Sequence, residues 1–483
     1  MSIQMKNIKT HIKIVALLGV LLSTFSCSDE FLSPAPTAAV SGANFYTTED
    51  QVFAGIINMY DGIQGVNDTR SDSNHGIQME FYVTEMRSDN TRTKSGEGEA
   101  SDFDFFRVQP ENGLVADHYR SFYNVIFRAN KVLESLDVVS SANKDKFEAE
   151  ARFIRAYVYF NMVRLYGDIP LVDKVITPDD TDIQFTRVPT AQIYDFIIND
   201  FQFAIQHLDN SGSKNRGSKA AAQGLLAKVY LTTKEYTKAQ LLLEEVMKGS
   251  YILEPNFSDV FYNENNKEVI FSIGFIQGLT QDSQNFSAEF LNGVGRTVGV
   301  NYVTNDAKTA LDNLGGTRTA VSYRQDKLQL TQNQVAKYLP NGEDGGADGK
   351  TFTGLDPRLA GNDWIVLRYA DILLMHVEAI LAGGNETSVG AALASFQAVR
   401  NRAGLTTAVT KVTLEELLDE RRVELAFENQ RMFDLIRFGK AQEILSAFSI
   451  AIGGSFSSTD LLLPIPQNEI GLSRGKLTQN PGY

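Results

Sequence analysis

The stretch Glu148–Val172 constrains this chain more than any other. Phe153, Ala156, Tyr157, Phe160 and Val163 recur at helical spacing and form one apolar face, while Ile154, Val158, Met162 and Leu165 form a second stripe. A helix that is apolar on two sides has to be sandwiched between other elements, so the fold is organised around it. Gly167 supplies the left-handed residue that ends it, and Pro170 prevents resumption.

Other helices follow from spacing. Thr48-Glu49-Asp50-Gln51 has the capping-box pattern, and Val52, Ile56, Met59 and Tyr60 share a face, which predicts a helix over 48–64. Further helices are expected at 76–88, 117–136 and 190–208. Residues 218–248 form a helix pair: Ala221, Gly224 and Ala227 permit close approach, Lys234-Glu235-Tyr236 turns, and Ala239, Leu242, Leu243 and Val246 return. Similar pairs are expected at 365–382 with 388–402 and at 413–428 with 430–446. The fold class is therefore mainly α, a tetratricopeptide-like scaffold of helix pairs with an irregular, loop-rich portion containing short strands (Val269–Ile273, Val335–Leu339). The scaffold covers about 41–75, 115–250 and 364–446. The irregular segments, about 77–113 and 253–362, are expected to be functional rather than idle, because long aperiodic stretches in compact domains commonly are. The apolar, proline-punctuated tail 460–483 is expected to pack on the body.

Composition excludes several functions. The formal charge is −14 with a pI near 5.0, and no basic stripe is present, so nucleic acid is not an expected partner. One cysteine and five histidines rule out a disulfide framework and argue against a Cys/His metal site. No phosphate-binding glycine loop, HExxH or GxSxG occurs, so no cofactor is expected. The cluster Glu420, Arg421, Arg422, Glu424, Glu428, Arg431, Asp434 and Arg437 has the three- and four-residue spacings of ion pairs rather than of acid–base catalysis. Arg152, Arg155 and Arg164 are likewise expected to satisfy carbonyls or carboxylates inside the scaffold.

Lys6, Lys9 and Lys13 precede an apolar run, Ile14–Phe25, too short to remain as a membrane span, so 1–26 reads as a secretory signal. The next residue, Cys27, is the sole cysteine and sits where bacterial lipoproteins are lipidated, with 27–40 as a tether and 41–483 as the folded domain. Firm anchoring takes two or more chains, since each buried methylene adds only ~0.8 kcal/mol. Thr24 stands where such signals usually carry leucine; cleavage after Ser26 with release of a soluble protein is the alternative.

Several blocks in order then resemble the SusD/RagB family of outer-membrane nutrient-binding lipoproteins from Bacteroidetes. They are Arg152-Phe-Ile-Arg-Ala-Tyr through Gly167-Asp-Ile-Pro-Leu171, Arg187-Val-Pro, Ala222-x-x-Leu-Leu-Ala-Lys-Val-Tyr230 and Leu367-Arg-Tyr-Ala-Asp-Ile-Leu-Leu374. Val399-Arg-x-Arg-Ala-Gly404, Glu420-Arg-x-x-Glu-Leu-Ala-Phe-Glu428, Arg431-x-Phe-Asp-Leu-Ile-Arg437 and Gln479-Asn-Pro-Gly-Tyr483 follow. Ser28-Asp29-Glu30 resembles the surface-export signal of these lipoproteins. The resemblance implies a cell-surface, non-catalytic protein that captures a glycan, or a peptide as in the RagB branch, for a TonB-dependent SusC-like transporter. It also implies that the irregular segments 77–113 and 253–362 face the ligand.

Sugars are held by flat aromatic faces with planar amide, carboxylate or guanidinium partners for hydroxyls. The first irregular segment offers Phe81, Tyr82, Arg87, Asp89, Asn90, Phe105 and Phe106, and the second offers Phe290, Tyr302 and Tyr323. Trp364, the only tryptophan, is expected to pack rather than bind.

Overall fold

The computed structural model describes residues 45–65, 76–93, 98–177, 179–180, 182–293, 301–354 and 356–483. The signal segment, Cys27, the tether and residues 66–75 lie outside the described residues.

Among the described residues, the helices of seven residues or more are α1 (Glu49–Gln64), α2 (Ile77–Val83), α3 (Gly113–Glu134), α4 (Lys144–Tyr166), α5 (Thr190–His207), α6 (Lys219–Thr232) and α7 (Tyr236–Met247). After them come α8 (Asn305–Leu314), α9 (Tyr369–Leu381), α10 (Gly390–Arg402), α11 (Leu414–Glu424), α12 (Arg431–Arg437) and α13 (Ala441–Ile452). Stacking follows chain order: α3 on α1, α4 between α3 and α5, α6 on α5, α7 on α6, and α9 between α7 and α10. This is a mainly helical scaffold of packed pairs, as the periodicity implies.

The central helix is α4. Nearly every side chain from Phe147 to Tyr166 is buried, and it ends at Gly167 with φ +71°. Its Arg155 crosses three helices: the guanidinium donates to Asp200 of α5 at 2.8 and 3.0 Å and to Asn130 of α3 at 2.7 Å. Arg164 lies between the rings of Phe160 and Phe433, 3.9 and 3.8 Å from their centroids. The arginines of this helix therefore serve the scaffold. At the first helix, the Thr48 side chain accepts from the Gln51 backbone and the Gln51 side chain answers, closing the capping box.

The strands are short; among the described residues those of three or more residues are β1 (Thr91–Thr93), β2 (Val269–Ile273), β3 (Asn301–Val303), β4 (Tyr323–Gln325), β5 (Asn333–Val335) and β6 (Trp364–Arg368). These pair antiparallel, β1 with β3, β2 with β6 and β4 with β5. Four expectations need correction. The strand expected at Val335–Leu339 lies earlier, at Asn333–Val335, because its ladder with β4 ends at Val335 and the Leu339 backbone then donates to the Ala336 carbonyl in a turn. The segment 365–382 is not helical throughout, because Trp364–Arg368 pairs with Val269–Ile273 before α9 begins. The segment 430–446 is two helices, because Gly439 at φ +70° breaks the path between α12 and α13. Residues 77–90, expected to face ligand, are interior: every residue of α2 is buried.

Every charged residue named in the cluster between Glu420 and Arg437 has an ion-pair partner. Arg368 bridges Glu268 at 2.8 Å, Glu424 at 2.5 Å and Glu428 at 2.8 Å. Arg318 bridges Glu420 at 2.6 Å and Glu424 at 2.7 Å, and Arg421 joins Asp371 and Asp434, each at 2.8 Å. Burial alone would raise the Glu424 carboxyl, but Arg402, Arg368 and Arg318 overcome it and hold the group well below the usual range. Such carboxylates are locked ion-pair partners, not acids or bases.

Candidate functional site

The site grows from the ladder between β1 and β3, where Thr91 faces Val303, Arg92 faces Tyr302 and Thr93 faces Asn301. Side chains alternate across a strand, so Thr91, Thr93, Asn301 and Val303 point inward and are buried, while Arg92 and Tyr302 share the outer face and are half-buried. The short helix Ser101–Asp104 then brings Asp104 against the ladder. Its carboxylate accepts from Arg92 Nε at 3.0 Å and from the Thr93 backbone at 3.3 Å.

Phe105 follows directly and is half-buried. The guanidinium carbons of Arg92 and Arg107 each lie 5.0 Å from its ring centroid. Arg107 is in turn fixed by Asp102 at 2.8 Å and by the Ser101 hydroxyl at 2.9 Å. The result is a ledge of one phenyl ring, one phenol and two oriented guanidiniums, with planar donors beside an apolar edge.

A second layer holds the ledge rigid. The Asp89 carboxylate takes Arg431 at 2.8 Å and Arg422 at 2.9 Å, and Thr304 donates its hydroxyl to the Asp89 carbonyl at 2.7 Å. Burial would raise Asp89, yet Arg422 and Arg431 keep it well below the usual carboxylate range. Asn90 accepts from Arg422 at 3.1 Å and donates to Glu85 at 2.9 Å. Burial pushes Glu85 up to about 7 and Asp104 up to about 6, the latter despite the opposing Arg92. Tyr302 is also raised, chiefly by burial.

The other residues expected at the site lie elsewhere. Phe81, Tyr82, Arg87, Asp89, Asn90, Phe106 and Phe290 are all interior. Phe81 meets Phe290 edge-on at 5.4 Å and Trp364 at 6.3 Å, and Trp364 stacks on Tyr338 at 4.8 Å, so these rings form one aromatic core. The Tyr82 hydroxyl donates to buried Glu289 at 3.1 Å. Arg87 donates to the carbonyls of Val83 and Asp460. Phe106 adopts φ +54°, which turns its ring away from that of Phe105 and against Phe456 at 5.1 Å. These positions are corrected from ligand contacts to supports. Tyr323 is half-buried on β4, with its hydroxyl on Asp312 and the Lys308 ammonium 5.6 Å from its ring.

Sequence reasoning missed Arg92, Asp102, Asp104 and Arg107. The signal was faint: a three-residue strand shows no alternation, and Asp-Phe-Asp-Phe-Phe-Arg reads as an ordinary mixed loop.

A larger cleft, about 850 Å³, opens between α1 and the segment after β2. Several of its polar groups are already committed: Asp363 accepts from Asn215 at 2.7 Å, Ser272 at 3.0 Å and the Phe275 backbone at 3.1 Å, and Gln64 donates to Gly274 at 2.7 Å. The histidines are structural where described; His118 meets the Tyr166 hydroxyl at 2.8 Å and His376 the Ser395 hydroxyl at 2.9 Å. Among the described residues no group of three or more His, Cys, Asp or Glu is arranged to hold a metal, and no helix is long and apolar enough to cross a membrane.

Comparison with known proteins adds the following. Residues 301–483 match the model described as "SusD family", and residues 47–231 match "Starch-binding associating with outer membrane". The chain is 26% identical to SusD-like protein P2 of Formosa agariphila, over 97% of this chain and 99% of that one. It is 23% identical to the starch-binding protein SusD of Bacteroides thetaiotaomicron, over 74% and 76%. Among solved structures, a laminarin binding SusD-like protein aligns with TM-score 0.75 at 26% identity, over 90% of this chain and all of that one. Surface glycan-binding protein A from Bacteroides thetaiotaomicron, in complex with laminarihexaose, aligns over 90% of this chain and 99% of that one with TM-score 0.74; at 22% identity it speaks for the fold alone. With both its amino-terminal helices and its carboxy-terminal part matched, and with the helix-pair scaffold common to these structures, the chain belongs to the SusD/RagB family.

Proposed function

We propose that this protein is a non-catalytic, cell-surface lipoprotein that captures an oligosaccharide and passes it to a TonB-dependent SusC-like transporter. The observation that carries the reading is the ledge of Arg92, Phe105 and Tyr302. It combines an apolar ring edge with planar donors, the pairing that sugar recognition needs, on a support braced by Asp89, Arg422 and Arg431. Each carboxylate of the ledge is tied to an arginine, Asp104 to Arg92 and Asp102 to Arg107, which suits holding rather than hydrolysis. The laminarin-binding and starch-binding relatives support a glycan as cargo. The name of the family model matching residues 47–231 supports the outer membrane, and lipid on Cys27 would supply the anchor.

The test is a glycan panel of laminari-, xylogluco- and malto-oligosaccharides and acidic algal polysaccharides, read by calorimetry together with a reducing-end assay. The expected result is binding without new reducing ends. Product release, or peptides recovered from the purified protein with no glycan bound, would overturn the reading. Replacing Cys27 with serine is expected to release the protein from the membrane fraction.

A further inference from the structure

A second pocket lies along α3 and is lined by residues that the ledge does not use. Tyr119, Tyr123 and Phe127 are spaced by four along that helix and form an aromatic row. Ile176 and Phe185 from the segment after α4, and Leu477 from the tail, close over the row and leave a pocket of about 190 Å³. Aromatic rows of this spacing normally face a core. This one does not close: Phe127 is 50% exposed. The pocket is smaller than the ~300–1,000 Å³ sites that take drug-sized ligands, so it admits one ring rather than two.

Its polar groups are few and placed. Tyr123 donates its hydroxyl to the Pro170 carbonyl at 2.8 Å, and its ring lies 4.9 Å from that of Tyr119. The Tyr119 side chain is 3% exposed, and Tyr123 is the one side chain among the described residues that acts on its hydroxyl as a hydrogen-bond partner. Arg120 pairs with Glu469 at 3.2 Å, and burial raises the Glu469 carboxyl. A purely apolar occupant would give the Tyr119 hydroxyl nothing beyond Tyr123 and would leave the Arg120–Glu469 pair at the pocket wall unused. A polyhydroxylated ring would lay its C–H face on Phe127 and Phe185 and reach the Tyr119 hydroxyl and the planar Arg120–Glu469 pair with its own hydroxyls.

We propose that this pocket is a second carbohydrate subsite, taking a single pyranose ring of the polysaccharide whose other residues engage the ledge. The inference rests on a glycan being the cargo. Two sites on one chain let a long polymer bind far more tightly than either site alone.

The test uses the full-length protein in detergent and a set of methyl pyranosides (gluco, galacto, manno, xylo, rhamno and glucurono), read by saturation transfer from protein to sugar. Variants Phe127→Ala, Tyr119→Phe and Phe105→Ala are compared after their melting temperatures are shown to match the parent's. We expect at least one pyranoside to receive transfer in the parent and in Phe105→Ala, with affinity about tenfold weaker in Phe127→Ala and measurably weaker in Tyr119→Phe. Transfer that survives in Phe127→Ala but disappears in Phe105→Ala would overturn the subsite while leaving glycan capture intact. No transfer in the parent would also overturn it, with the oligosaccharide panel deciding capture separately. Unchanged glycan binding alongside loss of transporter co-purification in Phe127→Ala would assign the pocket to a protein partner and overturn the proposal as well.

Discussion

Two sets of arginines divide this molecule. In the scaffold, Arg318, Arg368 and Arg421 are essentially unexposed, and each meets two or more carboxylates. At the ledge, Arg92 and Arg107 have one carboxylate each, lie beside a half-buried phenyl ring and retain exposure of 18% and 55% on their side chains. A guanidinium has five donors. Where two or more carboxylates claim the group it fixes helices; where only one does, the remaining donors can meet a ligand. Charge density alone does not mark the site, since the densest cluster in the chain is its most committed one.

The sharpest way to break this contrast is Arg368→Met. Removing it leaves Glu268, Glu424 and Glu428 buried with too few partners, and we expect a loss of about 3–5 kcal/mol in urea unfolding. Arg107→Gln, at the exposed ledge, should change stability by less than about 0.5 kcal/mol. Equal losses in the two variants would erase the distinction.

Adjacent phenylalanines provide the next test. Phe106 packs among Leu418, Met432, Leu445 and Phe456, so Phe106→Ala should cost about 3–5 kcal/mol. Phe105→Ala should leave melting nearly unchanged while weakening oligosaccharide binding about tenfold in calorimetry. The reverse pattern would place the wrong ring at the surface.

A smaller effect follows from Asp104. Its folded-state carboxyl is raised from 3.8 to about 6, so the folded protein holds this proton more tightly than the unfolded chain. That contribution to stability is present in full below about pH 4 and is lost as the pH rises to about 6. Urea midpoints at pH 4, 5, 6 and 7 should therefore fall less steeply in Asp104→Asn than in the parent. Glu85, raised to about 7, acts in the same direction in both proteins and drops out of the difference. The smallest effect is expected for Tyr302→Phe, a few-fold loss of affinity at unchanged stability, checked by the same calorimetry.

How much of this was legible in the chain depends on the length of each pattern. The two stripes of α4 and the Gly167 stop were readable because 23 residues give the helical period many repeats. The Thr48 cap was readable because it is purely local. The pair α6–α7 was likewise visible, its turn made by Lys234 at φ +63°. By contrast, Ile365 and Val366 continue the apolar pattern of α9, and only the partner strand Val269–Ile273 makes them extended. The helix α8 escaped notice although Thr304 caps it, because it buries only Ala307 and Leu311. At the site, Phe105 was distinguishable from Phe81, Phe106 and Phe290 only by tertiary packing. One backbone rotation at Phe106 decides which of two identical neighbours meets solvent, and composition carries no trace of it.

The central claim is that the ledge, and not the charged scaffold, grips the cargo. The most direct measurement is calorimetric titration of the panel's tightest oligosaccharide into the parent and into the double variant Phe105→Ala/Tyr302→Ala, with melting curves and reducing-end assays on the same samples. Binding is expected to fall at least a hundredfold while the melting temperature holds and no new reducing ends appear. Parental affinity in the double variant, or cleavage of the sugar by the parent, would contradict it.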